Sequence, residues 1–475
     1  MTDTAPEASA AATRPASCGF VVGLWYKGGM TLVTADLVFA DDRWRERHGF
    51  VLQGGAIMAT GEPAELADSY PDHEREDWGR VAVLPGTVNG HAHTFQVLLR
   101  GLGDDLGFMS WRDSVLYPYS ERLGREAIRA GALLDFAEMA RAGVTTAVDF
   151  FYLHDRSNEN DMAVVEAARE VGLRVVLARS MYDWTGAPRR YQETPLEAER
   201  NFRDLHAALR GDLRAFTQPA PHSIHAASPD LIREGAALAE EFDLPFHIHV
   251  AEGRYERDQS IERTGLSPVA FLDSLGVLSE RTVMVHAVWV DDDDLSIMAE
   301  RGVRVVHNPS ANAFLGDGIA PVRRMLEHGI PVCLGTDGGC TNSRQSVFEE
   351  MRMAALVARA AETDGAALGA EETFRMGTTR GGEILGLPVG LIAPQHAADL
   401  VVVDLDALSL QPRQTAPMQV VYAMQPDAIR RVVVGGEAIV EDGQLVRVDQ
   451  AEIVAMAQEA TADWVPESRL STAPR

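Results

Sequence analysis

The sequence predicts an α/β protein: a (β/α)8 barrel of the TIM type carrying a small β-sandwich assembled from both chain ends. Three observations carry this expectation. Between residues 85 and 395, short apolar runs alternate with amphipathic stretches, the texture of parallel strands joined by helical crossovers. With the run that opens this region, the strand candidates number eight. Residues 19–84 and 396–450 lack that alternation and read as short strands broken by glycine-rich turns.

Taken in order, residues 1–18 are rich in Ala, Thr and Pro, with no basic start followed by an apolar run. They are expected to form a disordered tail, not a secretory signal. Runs at 20–24, 30–34, 49–53 and 56–59 supply the first strands of the sandwich. The stretch 81–93 opens the barrel, and runs at 146–154, 174–182, 213–223, 245–252, 282–290, 302–308 and 331–337 complete it. Amphipathic segments at 122–142, 161–171, 229–242, 292–301 and 320–328 lie between them. Strand texture returns at 398–404 and in a hairpin at 429–446, whose turns are Gly435-Gly436 and Asp442-Gly443. The expected organisation is a tail at 1–18, a composite sandwich from 19–84 and 396–450, a barrel over 85–395, and a terminal helix and tail at 451–475.

The totals narrow the function. Of 475 residues, 46% are hydrophobic and 24% charged, as in ordinary soluble globular proteins. A formal charge of -27 argues against nucleic acid and against an anionic membrane surface as partners. No apolar run approaches the ~18 residues a membrane helix needs. Cys18, Cys333 and Cys340 are too few and too unevenly placed for a disulfide framework, so a reducing, cytoplasmic setting is expected. A small-molecule substrate and a symmetric homo-oligomer, a dimer, are the expected partners.

The chemistry begins where the first barrel run ends. There the chain reads Leu84-Pro-Gly-Thr-Val-Asn-Gly-His-Ala-His93. Alternate side chains of an extended segment share a face, so His91 and His93 can converge as imidazole ligands on one divalent ion. Functional groups in such a barrel gather at the C-terminal ends of strands. At those ends stand His222 and His225 on the fourth run, His249 and Glu252 on the fifth, His286 on the sixth and Asp337 on the eighth.

Together, LPGTVNGHAH, HIHVAE, MVHA and LGTDGG resemble the amidohydrolase superfamily. The likeness is to the deaminase branch that includes guanine, 8-oxoguanine, adenosylhomocysteine and triazine hydrolases. The resemblance implies that His91, His93, His249 and Asp337 hold one divalent metal, Zn2+ first and Fe2+ as the alternative. It makes Glu252 the proton shuttle, gives His286 the task of orienting water or substrate, and lets Asp337 take a proton from the attacking water. His247 faces the other way in a strand and reads as structural. A single lysine, Lys27, among 43 basic residues excludes a dinuclear centre bridged by a barrel lysine. A metal in such a site lowers the pKa of bound water from about 16 towards about 7. The reaction expected is hydrolytic deamination at an amidine-type carbon, releasing ammonia or an amine.

A second likeness bears on the substrate. His93-Thr-Phe-Gln96, Met109-Ser-Trp-Arg-Asp113, Phe150-Phe-Tyr-Leu-His-Asp155, Ala220-Pro-His-Ser-Ile-His225 and Leu315-Gly-Asp-Gly318 resemble formimidoylglutamate deiminase. That implies a pocket lined by Gln96, Arg112, Tyr152 and His222. His225 stands where that family carries a carboxylate-clamping arginine, and a neutral imidazole is a poor substitute for a bidentate fork. Asp337-Gly-Gly-Cys-Thr-Asn342 and His307-Asn-Pro-Ser-Ala-Asn312 are closer to the heterocycle deaminases. An N-heterocycle (purine, pterin, pyrimidine or triazine) therefore ranks first and formimidoylglutamate second. Hydrolysis of an amide, a urea or a chloro-heterocycle is the further alternative. Arg179 is a candidate for recognising a substrate carboxylate, and Trp184 and Phe314 for stacking on a ring. The acidic run 291–294 reads as a helix N-terminus with favourable dipole charges rather than a calcium site.

Overall fold

The computed structural model describes residues 29–464. The expected tail at 1–18, the strand candidate at 20–24, Cys18, Lys27 and the last residues of 451–475 lie outside them.

The barrel strands are Thr87–His93, Val144–Phe151, Arg174–Met181, Ala215–Pro221, Phe246–Val250, Thr282–His286 and Arg304–His307. The eighth comes in two pieces, Val332–Leu334 and Asp337–Gly338. All neighbouring pairs are parallel. Val332–Leu334 pairs with the seventh strand, while Asp337–Gly338 pairs with the first and closes the ring. Between the fourth and fifth strands the ladder shrinks to one bridge, Ser223 to His249. Helices cover the outside, so the second and third strands are buried along their whole length, on both faces.

The break in the eighth strand is held by a side-chain amide. Asn89 Nδ2 donates to Thr336 Oγ1 at 2.7 Å, and Thr336 N donates to Asn89 Oδ1 at 3.0 Å. Gly90 makes this approach sterically feasible, since a Cβ there would lie 2.8 Å from Cys333 Sγ and 3.0 Å from the Leu334 carbonyl. Asp337, at φ 62°, then turns back beside His91 and His93.

Strands from both chain ends form one nine-stranded sheet. They meet where Val81–Pro85 pairs antiparallel with Leu400–Asp404. The sheet has its own apolar core of Val33, Val38, Phe50, Ile57, Val83 and Leu400. A fully buried ion pair, Arg174 to Asp399, ties it to the foot of the third barrel strand. Asp399 also accepts from Gly435 N at 2.8 Å.

Helix boundaries follow local chemistry. Ser228 caps Pro229–Phe242 by accepting from Leu231 N, and Asp243 ends it in a left-handed conformation. The acidic run 291–294 caps Asp292–Arg301: Asp291 accepts from Asp293 N and Asp294 N, and Asp294 returns the bond to Asp291 N. Asp294 and Asp291 both pair with Arg257.

One core residue works against the fold. Asp135, on helix Arg125–Arg141, is 0% exposed and neither carboxylate oxygen has a hydrogen-bond partner among the described residues. Burial, and then Glu138, push its pKa well above the usual carboxylate range. A group whose folded-state pKa is raised weakens the fold progressively as pH rises from the unfolded value of about 3.9 towards the folded one. Asp135→Ala is therefore expected to raise the melting temperature more at pH 8 than at pH 5, by relief of an unpaired buried group costing about 1–3 kcal/mol. Calorimetry at the two pH values checks this; a variant that melts lower at pH 8 contradicts it.

Candidate active site

The strand ends bring five potential ligands together in two overlapping groups. Nitrogens of His91, His93 and His249 lie within 4.8 Å of one another, and so do ligand atoms of His91, His286 and Asp337. His91 Nε2 is 3.2 Å from His249 Nε2 and 3.4 Å from Asp337 Oδ1, which is also 3.5 Å from His93 Nε2.

Hydrogen bonds behind the rings fix which nitrogens face inward. His93 Nδ1 donates to the Phe150 carbonyl at 2.6 Å, and His249 Nδ1 to the His222 carbonyl at 2.9 Å. Their Nε2 lone pairs are thus aimed into the site. Burial holds all three imidazoles neutral, pulling His91 down to about 3, lowering His93 and taking His249 well below its ordinary value. Burial would raise Asp337, but the hydrogen bond from His91 and the nearby His286 outweigh it and hold the carboxyl below its usual range. The bare Nε2 lone pairs of His93 and His249 thus converge with His91 and the Asp337 carboxylate on one spot. A divalent cation satisfies that arrangement, and a set of three imidazoles and one carboxylate suits zinc or iron.

Glu252 and His286 stand beside this cluster, with Glu252 Oε1 3.7 Å from His286 Nε2. Asn312 Nδ2 at 2.9 Å and Asn308 Nδ2 at 3.3 Å both donate to His286 Nδ1. His286 therefore carries its hydrogen on Nε2, pointing into the site. It does so from a left-handed backbone at φ 76°, a strained conformation of the kind functional sites retain. Glu252 is buried, and burial, then Asp317, Asp337 and Glu256, push its pKa well up. Glu256, one helical turn further on, accepts from Glu252 N at 3.0 Å and is itself pushed up to about 7 by burial.

A cavity opens over these groups. Its walls include His93, His249, Glu252, His286 and Asp337, and also Gln96, Arg112, Tyr152 and His222. Gln96 Nε2 donates to Tyr152 Oη at 2.7 Å, and the His222 ring stacks 4.7 Å from that of His249.

Arg179 requires a correction. Its side chain is 0% exposed and does not line the cavity, because Nη1 and Nη2 each donate to Glu193 at 2.8 Å and Nε donates to Asn158 Oδ1 at 2.9 Å. This guanidinium neutralises a buried acid and is closed to substrate. The pair braces the loop beyond the third strand, since Glu193 N donates to the Tyr182 carbonyl at 2.8 Å. Trp184 and Phe314 do not line the cavity either; Trp184 lies under the Arg112 guanidinium at 5.4 Å. His247 faces away and bonds Gln218 at 2.6 Å.

Several lining residues escaped the sequence reading: Tyr117, Tyr182, Tyr191, Trp111 and Thr341. Tyr182 follows the third strand directly and shares the strand-end signal of the histidines. Tyr117 opens the single-turn helix Tyr117–Ser120 and Tyr191 ends the 3-10 turn Arg189–Tyr191, elements too short to leave a periodic signal.

Comparison with known proteins agrees with this architecture. Residues 82–439 match the model of the amidohydrolase family. The chain is 36% identical over 418 residues to a 5'-deoxyadenosine deaminase of Methanothermobacter thermautotrophicus, covering 87% of this chain and 96% of the relative. It is 33% identical to a 5-methylthioadenosine/S-adenosylhomocysteine deaminase of Nitratidesulfovibrio vulgaris, covering 91% and 97%. Among solved structures, an adenosine deaminase from Xanthomonas campestris with bound zinc superposes with a TM-score of 0.84 at 29% identity, covering 91% of this chain and 98% of that one. An atrazine chlorohydrolase from Arthrobacter aurescens complexed with zinc gives 0.85 at 25% identity, covering 90% and 99%.

Proposed function

The chain belongs to the amidohydrolase family, and from that premise we propose that it is a zinc-dependent hydrolytic deaminase acting on an amino-bearing N-heterocycle of the purine type. The observation that carries this reading is the convergence of His91, His93, His249 and Asp337, with the buried Glu252 beside them. Zinc is favoured over iron by its presence in the solved relatives.

His91, His93, His249 and Asp337 are the proposed ligands. A metal held there supplies Lewis-acid activation of a water molecule. The protein's own groups do the rest. His93 and His249 stay neutral and oriented through their Nδ1–H bonds to carbonyls. Glu252 delivers a proton to the ring nitrogen next to the attacked carbon, and His286 donates its Nε2–H to the oxygen that arrives there. Water adds its oxygen to that carbon, one of its protons passing to Asp337 and the other to the Glu252 carboxylate. The carbon–nitrogen bond then breaks as Glu252 hands that proton to the departing amine, which leaves as ammonia, and the proton held by Asp337 returns to Glu252.

Formimidoylglutamate is the second reading, favoured because Gln96, Arg112, Tyr152 and His222 all line the cavity. Zinc-loaded protein incubated with 5'-deoxyadenosine, 5'-methylthioadenosine, S-adenosylhomocysteine, adenine, guanine and formimidoylglutamate is expected to release ammonia from at least one ring substrate. Ammonia from formimidoylglutamate alone selects the second reading, and none from any of them sinks both.

A further inference from the structure

The cavity lining offers two kinds of group. Carboxylates form one: Glu252 and Asp337 line it, and Glu256 and Asp317 lie close by. Tyrosine hydroxyls form the other. Tyr117 and Tyr182 both line the cavity, with hydroxyl oxygens 3.0 Å apart. Burial keeps both phenols protonated.

Each hydroxyl brings one hydrogen, and a pair shares only one bond, so one hydrogen is left over. No neighbour among the described residues takes it. The Ser120 hydroxyl donates to the Tyr117 carbonyl at 3.0 Å, so at 2.6 Å Tyr191 is the donor to Ser120 and its own hydrogen is committed. Tyr152 Oη receives the Gln96 amide, which leaves the Tyr152 hydrogen directed elsewhere. Arg112 sits 5.4 Å above the Tyr117 ring with Nε tied to Asp113 at 2.8 Å, and its terminal nitrogens have no acceptor among the described residues. These residues thus hold surplus donors. They stand one ring removed from a proposed ligand: the Tyr182 ring is 4.8 Å from that of His222, which stacks on His249.

We propose that the Tyr117–Tyr182 hydroxyl pair is a specificity-determining donor. It reads an oxygen that carries no hydrogen of its own, a ring carbonyl or a carboxylate, on a part of the substrate other than the attacked carbon. This rests on the site being a hydrolytic deaminase. A substrate presenting only C–H or N–H there leaves the surplus hydroxyl hydrogen buried without an acceptor, and sites built to hydrogen-bond reject such analogues strongly.

The test uses matched substrates differing in that oxygen. One pair is guanine and 2-aminopurine, for the ring carbonyl; the other is formimidoylglutamate and N-formimidoyl-4-aminobutyrate, for the α-carboxylate. Zinc-loaded wild type is expected to show a kcat/KM at least about tenfold higher for the oxygen-bearing member of one pair, and which pair responds identifies the oxygen's source. The double variant Tyr117→Phe/Tyr182→Phe is expected to bring that ratio within about threefold of one, chiefly through KM. Each single variant keeps most of the preference, because the remaining hydroxyl retains its hydrogen. A wild-type ratio near one, or a ratio unchanged in the double variant, overturns the proposal. If the double variant melts early or loses zinc, the wild-type ratio and the single variants decide. Turnover of 5'-deoxyadenosine alone overturns it while leaving the deaminase reading standing. No ammonia from any substrate removes that reading and the proposal with it.

Discussion

Glu252→Gln is expected to bind substrate with near wild-type affinity while turning it over about 10²–10⁴-fold more slowly, the usual worth of a positioned general acid–base group. Glutamine keeps the shape and a hydrogen-bonding end but has no proton to transfer. The neighbourhood makes the loss specific: Glu252 is buried, 3.7 Å from His286, and packed among other carboxylates that favour its protonated form. Stopped-flow or steady-state assays with calorimetric binding separate the two effects. A variant that keeps its kcat, or that loses binding in proportion to rate, removes Glu252 from the proton-transfer role.

Removing a ligand is expected to be at least as damaging. Asp337→Ala deletes the carboxylate that faces both His91 and His93, and His249→Ala deletes one of the two imidazoles oriented by a carbonyl. Each is expected to weaken metal affinity by more than the ~10–100-fold typical of losing an outer partner of a ligand. Activity should vanish and the zinc content of the purified protein should fall well below one equivalent. Chelator treatment of the wild type is expected to reproduce the loss, to lower the melting temperature by linkage, and to be reversed by added zinc. Full activity in protein stripped of metal is the outcome that contradicts the ligand assignment.

Much of this site is legible in the sequence because its groups obey a positional rule. Parallel strands buried on both faces leave apolar runs in the sequence, and polar residues at the ends of those runs are conspicuous. His91, His93, His249, His286 and Asp337 are found that way. Arg179 obeys the same rule and misleads, because it sits at the end of the third strand but its partner Glu193 arrives from a loop with no periodic signature. A pairing between residues 14 apart across a long connection cannot be read from spacing. The same reason hides Tyr117 and Tyr191. The split eighth strand is equally invisible, since the run at 331–337 looks continuous and only the Asn89 amide shows where it parts.

That amide stitch has a consequence for biosynthesis. Asn89 and Thr336 are 247 residues apart, and Asp337 follows at once. At about 5–20 residues per second, a ribosome delivers the second partner tens of seconds after the first. Until then the opening strand has no closing neighbour, and its two imidazoles wait without their carboxylate. A metal held by all four of these groups would therefore be bound only after most of the nascent chain has emerged.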